Sequence, residues 1–527
     1  MKKRYMPASG AFVAVVALSA ALVSGCATGD EGATSETVTI GIPTNPTGAF
    51  DPYGNREYGT SLLTPFNYDS LINKNASGEF VSGIATEWTA DTESAQFTLG
   101  SGVTCADGSP LTASAVANSI AFASDGANAS WVFGFFAPTT PLTAVGDDAT
   151  GIVTVTMSGP YGYLLDTIGL LPILCAGGLE NPDSLANASN GTGPYVVTEV
   201  VPGQSISLEL REDYAWGPGG ATAEGMPAKV IVREVPNETT VANMLLSGEL
   251  DAATVSGPDR SRLQGADVSS FDLLASAAWL NFNQRDTRVT NDLRVREALV
   301  RALNLSDIVA VSTGGNGQVA EGLLVEEPSV CPTNAVAGVL PEFDTNLAGE
   351  LLDEAGWIVG SDGVRAKDGQ PLHIELRYWS ERSDLEKPTA EFMADAWSSI
   401  GVDVEVIAES VGGLVDTLYS TGNFDAYLLG WDLRLGTQFV PYLTGTLPPE
   451  GQNFMGVDNS AYEELAAEAT ITTPPEGCEL WGEAERAVVE DLDLVPMSNR
   501  TITWFFPGVT ADVVNALQLI PTSIRAN

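Results

Sequence analysis

Residues 372–429 read LHIELRYWSERSDLEKPTAEFMADAWSSIGVDVEVIAESVGGLVDTLYSTGNFDAYLL. Apolar and polar residues alternate over Leu372–Tyr378 and Val402–Ile407, a pattern typical of β-strands. Between them, Pro388–Ile400 has helical spacing and stops at Gly401, a residue type that commonly ends helices. The order strand, helix, strand predicts a βαβ unit, so this stretch indicates an α/β protein.

The same two periodicities recur along the rest of the chain. Strand-like alternation is present in Val38–Ile42, Ile152–Met157, Ser205–Leu210 and Lys229–Val235. Helical spacing is present in Thr239–Ser247, Asp292–Leu303 and Leu347–Ala355. We therefore expect strands and helices to alternate over most of the chain, without an internal repeat.

The charge balance excludes several kinds of partner. The chain has 527 residues, 68 acidic and 24 basic side chains, a formal net charge of −44 and one histidine, His373. Binding to phosphates needs clustered lysine and arginine, so nucleic acid is not an expected partner. A single histidine excludes a site built from several histidines. We expect neither a metal site nor a cofactor.

The N-terminus predicts export and lipid attachment. Lys2, Lys3 and Arg4 precede an apolar run, Ala11–Leu22, which is too short to span a bilayer but fits a secretory signal. The next residues, Val23–Cys26, resemble a bacterial lipobox, in which the cysteine is acylated and becomes the new N-terminus. The alternative is an ordinary signal peptide with a chance cysteine. We expect residues 1–25 to be removed and 26–36 to form a polar tether.

Four cysteines remain if Cys26 carries the lipid. An even number in an exported chain suggests two disulfides, and four cysteines allow three connectivities. The pairs Cys105–Cys175 and Cys331–Cys478 are favoured because each closes a loop within one region. Four buried free thiols are the alternative.

Sequence motifs for catalysis are missing. The chain contains no GxSxG elbow, no GxxxxGK[ST] phosphate loop and no GxGxxG that opens a helix. A catalytic triad would have to use His373, which lies in an alternating strand pattern. We expect a protein that is not an enzyme.

A series of motifs resembles one family in order along the chain. The segments are Tyr68–Leu71 (YDSL), Gly83–Trp88 (GIATEW), Gly102–Ala113 (GVTCADGSPLTA), Gly191–Tyr195 (GTGPY), Ser247–Asp251 (SGELD), Val295–Leu299 (VREAL) and Leu351–Trp357 (LLDEAGW). Together they resemble the extracytoplasmic solute-binding proteins of ABC importers, family 5, which includes dipeptide, oligopeptide and nickel binders. Cys105 stands where this family usually has an aromatic residue, which supports a special role such as a disulfide.

The resemblance implies a two-lobed α/β fold of the periplasmic-binding-protein type, cluster C, with a hinge between the lobes. The first lobe would combine residues 37–80, 190–283 and 498–527. Residues 81–189 would form an inserted subdomain, and residues 284–497 the second lobe. Ligand would be enclosed between the lobes as they close.

The resemblance also directs attention to Gly430–Thr437 (GWDLRLGT) as a ligand-reading segment. Trp431 fits the family pattern, Asp432 stands too early, and Arg434 occupies the place of an aspartate that pairs with the α-ammonium of a peptide. Asp432 could still bind an ammonium, or Arg434 could bind a carboxylate or phosphate. A salt bridge between Arg434 and a neighbouring acid is the structural alternative. Weaker candidates for the cleft are Phe50, Asp51, Trp279, Asn281, Asn283 and Tyr419.

The function that follows from the resemblance is capture of a peptide or peptide-like solute and its delivery to an ABC permease. The protein would be a monomer on the outer face of the cell membrane, held by the lipid on Cys26. Alternatives are a binding protein for an oligosaccharide, an opine or a metal chelate, or a sensor of peptide signals. An exported hydrolase is a further alternative.

Overall fold

The structure, a computed structural model, describes residues 37–44, 50–54, 58–75, 77–128, 130–266, 268–325, 329–515 and 518–527. The predicted signal segment, the tether and Cys26 lie outside these residues. No helix among the described residues has both the length and the apolar composition needed to cross a bilayer.

The first sheet has eight strands, most of which come from residues 195–276. Their order is Ser270–Ser276, Ser498–Phe505, Ala252–Val255, Thr37–Ile42, Lys229–Glu234, Ser205–Leu210 and Tyr195–Val201, with Gly317–Val319 added on Ser498–Phe505. The strand predicted at Ser205–Leu210 is confirmed with the same bounds. Gly317–Val319 comes from the region predicted as the second lobe, so this region also contributes to the first sheet.

The second sheet contains the stretch that indicated an α/β protein. Its strands are, in order, Asp403–Glu409, His373–Trp379, Ala426–Leu428, Trp279–Phe282 and Leu494–Pro496. The first three pair in parallel, and helix Glu386–Ser399 connects His373–Trp379 with Asp403–Glu409. The predicted βαβ unit is therefore confirmed.

The third sheet lies within the predicted inserted subdomain. Its strands are Ala85–Ala90, Ser94–Leu99, Ile152–Met157 and Leu142–Asp147, all antiparallel. Small sheets pair Ile72–Lys74 with Phe80–Ser82, Val509–Thr510 with Arg525–Ala526, Val513–Asn515 with Gln518–Leu519, and join Ile358–Val359, Arg365–Lys367 and Gln370–Pro371.

Helices cover and connect the sheets. They are Tyr58–Asn67, Ala113–Ala123, Leu164–Thr167, Ala176–Glu180, Glu238–Ser247, Asp259–Gln264, Leu293–Arg301, Leu305–Thr313, Thr345–Glu354, Glu386–Ser399, Val411–Asp416, Val440–Leu443, Ser460–Ile471 and Glu476–Glu490. The predicted helix ends hold to within a few residues. Gly248, for example, follows Glu238–Ser247 in the left-handed conformation that glycine adopts without strain.

Two strands of the first sheet continue directly into the second sheet. Ser270–Ser276 leads through Ala277-Ala278 into Trp279–Phe282, and Leu494–Pro496 leads through Met497 into Ser498–Phe505. The two connections are hydrogen-bonded to each other, since Ala277 N donates to Ser498 O at 3.0 Å and Met497 N to Ala278 O at 3.0 Å. The chain thus changes sheet at Ala277-Ala278, a few residues before the lobe boundary expected at 283.

One hydrophobic cluster joins the inserted region to the C-terminal half of the chain. Trp481 is buried in it and donates a hydrogen bond from Nε1 to the hydroxyl of Tyr163 at 2.8 Å. Beside this contact, Gly162 N donates to Thr470 O at 2.8 Å. Parts of the chain that are far apart in sequence therefore pack together in this cluster.

Candidate ligand-binding site

A cavity of about 490 Å³ is lined by residues from widely separated parts of the chain. One side is built by helix Tyr58–Asn67, the segment that follows it, and residues 511–514 and 518–522. The opposite side carries Val330 and residues of 434–438. This volume is within the range of small-molecule sites.

Aromatic side chains form much of the apolar lining. Trp131 and Phe136 come from the inserted region, and their rings meet edge to face with centroids 5.7 Å apart. Trp131 is oriented by its Nε1, which donates to Pro52 O at 2.9 Å. Tyr68 and Phe271 line the cavity from the side of the first sheet. Such rings provide apolar area with fixed orientation.

Arg434 brings a positive charge to this cavity. Its guanidinium lies 5.8 Å from the ring centroid of Phe136. The buried amide of Gln438 holds the segment in place, because its Oε1 accepts from Arg434 N at 3.0 Å and from Leu435 N at 3.1 Å, while its Nε2 donates to Phe135 O at 3.3 Å. A guanidinium placed this way can bind a carboxylate with two parallel hydrogen bonds.

A buried carboxyl group, Asp69, belongs to the cavity wall. It accepts hydrogen bonds from the hydroxyl of Tyr214 at 2.8 Å, from Thr192 Oγ1 at 3.1 Å and from Trp216 Nε1 at 3.1 Å. Burial raises the pKa of Asp69 to about 7, against the opposing effect of these donors. The segments YDSL and GTGPY therefore meet at this carboxyl group, a role that the sequence analysis did not assign.

An ion pair also reaches the cavity. Lys74 Nζ lies 2.5 Å from Asp166 Oδ1, and both side chains are largely buried. The two residues are 92 positions apart in sequence and belong to no shared motif. No local pattern could have revealed this pair.

Trp431 and Asn281 were both predicted to bind ligand, and the structure places them in contact in the core. Trp431 Nε1 donates to Asn281 Oδ1 at 2.8 Å, and Asn281 Nδ2 donates to Leu429 O at 2.8 Å. The Trp431 ring stacks on Phe454, with centroids 6.0 Å apart and an interplanar angle of 13°. Asn281 is fully buried.

The other candidates are also engaged within the protein. Asn283 Nδ2 donates to Gly422 O at 3.0 Å. The ring of Tyr419 packs against a neighbouring aromatic ring. Phe50 is 3% exposed, and Trp279 is fully buried. Of the predicted residues, all of which lie in the described part of the chain, only Arg434 lines the cavity. Ligand contact by the others stays an untested prediction.

The cysteines lie at disulfide distance in the combination that the sequence favours. The sulfur atoms of Cys105 and Cys175 lie 1.99 Å apart, and those of Cys331 and Cys478 lie 2.04 Å apart. Within the described residues, no group of three or more histidine, cysteine, aspartate or glutamate side chains is placed to hold a metal ion.

The family of the chain is shown by comparison with known proteins. The family model for bacterial extracellular solute-binding proteins, family 5, matches residues 79–447, which is more than half of the chain. The chain therefore belongs to this family of non-enzymatic binding proteins, the substrate-binding components of ABC importers that act outside the cytoplasm.

Named relatives support the assignment of the chain to this family. Protein XP55 of Streptomyces lividans is 29% identical over 430 residues, covering 76% of this chain and 73% of that protein. The nickel-binding periplasmic protein of Escherichia coli (strain K12) is 27% identical over 398 residues, covering 72% and 71%. The oligopeptide-binding protein AppA of Bacillus subtilis (strain 168) is 25% identical over 323 residues, which span 59% of this chain and 57% of AppA.

Solved structures show the same two-lobed α/β fold. A substrate-binding protein from Microbacterium hydrocarbonoxydans, solved with 4-hydroxybenzoate hydrazide, is 26% identical, with a TM-score of 0.76 over 94% of this chain and 100% of that chain. AppA of Bacillus subtilis, solved with a nonapeptide, is 18% identical, with a TM-score of 0.77 over 94% and 99%, and it supports the fold alone.

Proposed function

We propose that this protein captures a peptide or peptide-like solute in the cavity beside Arg434 and delivers it to the permease of an ABC importer. The observation that carries the proposal is the guanidinium of Arg434 in a cavity lined by aromatic rings. A ligand carboxylate would bind the guanidinium, and the rings would hold the apolar part of the ligand. Relatives named as oligopeptide-binding proteins support this choice.

Closure would occur about the paired connections at Ala277-Ala278 and Met497. These are two short crossings between the first and second sheets, and they lie side by side. A few residues at the ends of strands commonly absorb such a motion. In this proposal, the first sheet with the inserted region forms one lobe, and the second sheet with its helices forms the other.

A small aromatic amide or hydrazide is the second candidate ligand. The edge-to-face pair Trp131 and Phe136 favours it, because an aromatic ring can extend this arrangement. A relative that is 26% identical was solved with 4-hydroxybenzoate hydrazide. With this second ligand the protein would still serve transport, and only the chemical class of the solute would differ.

Attachment to the membrane by a lipid on Cys26 completes the proposal. The sequence from Val23 to Cys26 and the apolar run before it support lipid attachment. The protein would act as a monomer that is tethered to the outer face of the membrane and free to reach the permease.

The experiment is mass spectrometry of what the purified chain releases on denaturation, followed by isothermal titration of the ligands found. We expect Arg434→Ala to lose ligand, and Arg434→Lys to bind more weakly because lysine lacks the two-pronged donor geometry. Arg301→Ala, which removes an arginine outside the cavity lining, is the matched control. Equal ligand retention in Arg434→Ala would contradict the proposed contact, and repeated conversion of ligand would contradict a transport role.

A further inference from the structure

A second cavity of about 430 Å³ adjoins the first. Three residues line both cavities: Lys74, Asp166 and Val330. The second cavity continues past them between Phe80 on one side and Pro474 on the other. The two spaces are therefore neighbours that share one thin wall.

Two of the three shared lining residues, Lys74 and Asp166, form an ion pair. Lys74 ends the strand Ile72–Lys74, and Asp166 lies in the helical turn Leu164–Thr167, so their contact at 2.5 Å connects two separate segments. The side chains are 17% and 9% exposed. Lys74 Nζ also lies 4.8 Å from the centroid of the Phe80 ring, which holds the ammonium from the side of the second cavity.

Val330 completes the wall from the opposite part of the chain. It precedes Cys331, whose sulfur pairs with Cys478, and Cys478 Sγ lies 3.6 Å from Val330 O. Pro474, just before helix Glu476–Glu490, lines the second cavity beside this corner. The paired cysteines thus lie beside Val330, the apolar residue that lines both cavities together with the ion pair.

We propose that the second cavity is an extension of the ligand site and that the pair Lys74–Asp166 is the partition that limits ligand length. This inference rests on the proposed function. A ligand that fits the first cavity leaves the pair intact. A longer one must separate two charges that are largely withdrawn from water, which is unfavourable unless the ligand replaces one of them. Among peptides with the same side chains, the partition therefore selects the shorter ones.

The test compares the wild-type chain, Lys74→Ala/Asp166→Ala and the control Glu297→Ala/Arg301→Ala. The control removes a partly exposed ion pair of similar length outside both cavities. The probe is a ladder of oligoalanine peptides from dipeptide to octapeptide, titrated calorimetrically. Removing both partners at once leaves no unpaired charge in the wall.

We expect the wild type and the control to prefer the short peptides. The Lys74→Ala/Asp166→Ala variant should bind the longest peptides about tenfold more tightly than the wild type does, with dipeptide affinity little changed. The same length profile in all three proteins would overturn the partition.

A crystal structure of the Lys74→Ala/Asp166→Ala variant separates this inference from the proposed function. If no peptide binds any of the three proteins, the proposal that the ligand is a peptide is refuted. The partition is then tested by whether the two cavities have merged in the crystal structure of the variant. One continuous space supports the partition. Two spaces still separated, with Phe80 or Val330 moved into the gap, would refute it.

Discussion

Asp432 is bound to Ser276 at the point where the chain leaves the first sheet. Its Oδ1 accepts hydrogen bonds from Ser276 N at 2.7 Å and from Ser276 Oγ at 2.8 Å. Arg382 joins them, since its Nη2 donates to Ser276 O at 2.7 Å. The carboxylate that the sequence offered for a ligand ammonium therefore holds the connection between the sheets.

We predict that Asp432→Ala lowers stability more than ligand affinity. The variant leaves the donors of the fully buried Ser276 without their acceptor, which costs about 1–3 kcal/mol of unfolding free energy. Urea unfolding and calorimetric titration measure the two effects. Arg434→Ala should give the opposite result, with weaker binding and little loss of stability. A variant of Asp432 that loses ligand while keeping full stability would restore Asp432 as a ligand contact.

We predict that Glu485 makes the protein less stable as the pH rises. Burial raises the pKa of Glu485 to about 7, and its Oε2 accepts from Leu323 N at 3.2 Å and Thr333 Oγ1 at 2.5 Å. The folded state holds this proton more tightly than the unfolded state. The stabilising contribution of Glu485 to the free energy of unfolding is therefore complete below pH about 4, and it is lost as the pH rises through about 7.

Urea unfolding between pH 5 and pH 8 measures this effect. Glu485→Gln should remove about 3 kcal/mol at most of this pH dependence and roughly halve the slope, because Asp69, whose pKa burial also raises to about 7, maintains a slope of the same sign and similar size. Glu483→Gln, on the exposed face of the same helix, should follow the wild type. Identical slopes in the wild type and Glu485→Gln would rule out the buried proton.

We predict that both cysteine pairs are oxidised in the exported protein. Peptide mapping without reduction should find Cys105 linked to Cys175 and Cys331 linked to Cys478, with no cross-pairing. The sequence separations are 70 and 147 residues, so removal of either bridge should cost about 4–5 kcal/mol in the chain-entropy model. Thermal unfolding of the two double-serine variants measures the loss. Free thiols detected in the native protein would contradict the prediction.

We predict that Cys26→Ser releases the protein from the membrane. Without the acylated cysteine, the polar tether has no anchor, and the chain should move from the membrane fraction to the soluble fraction. The neighbouring change Ala27→Ser keeps the cysteine and should leave the protein in the membrane fraction. An unmodified N-terminal peptide in the mature wild type would show that the lipobox is not used.

The sequence predicted the fold better than the site, for a physical reason. Hydrophobic periodicity is a local property, so strand Ile152–Met157 and helix Glu386–Ser399 could be placed from a few residues. Whether a side chain points into the ligand site depends on how segments that are far apart in sequence pack together. Trp431 fitted the family pattern and Asn281 was a weaker candidate for the cleft, yet their polar atoms bind each other.

Arg434 could be found because it departs from a family pattern at a ligand-reading position. Asp69 was visible only as part of a motif, and its three donors come from elsewhere in the chain. Lys74 and Asp166 lie in different secondary-structure elements, and no sequence motif connects them. Contacts of this kind become apparent once the three-dimensional arrangement is known.

The paired connections at Ala277-Ala278 and Met497 limit how the two halves can move. Two adjacent strands that are hydrogen-bonded to each other bend together but resist twisting and sliding. In the proposed closure, these two connections would restrict the motion to rotation about a single axis. Each closing event would return the two halves to the same mutual orientation, so any partner that docks across both would find the same composite surface, whatever solute is enclosed.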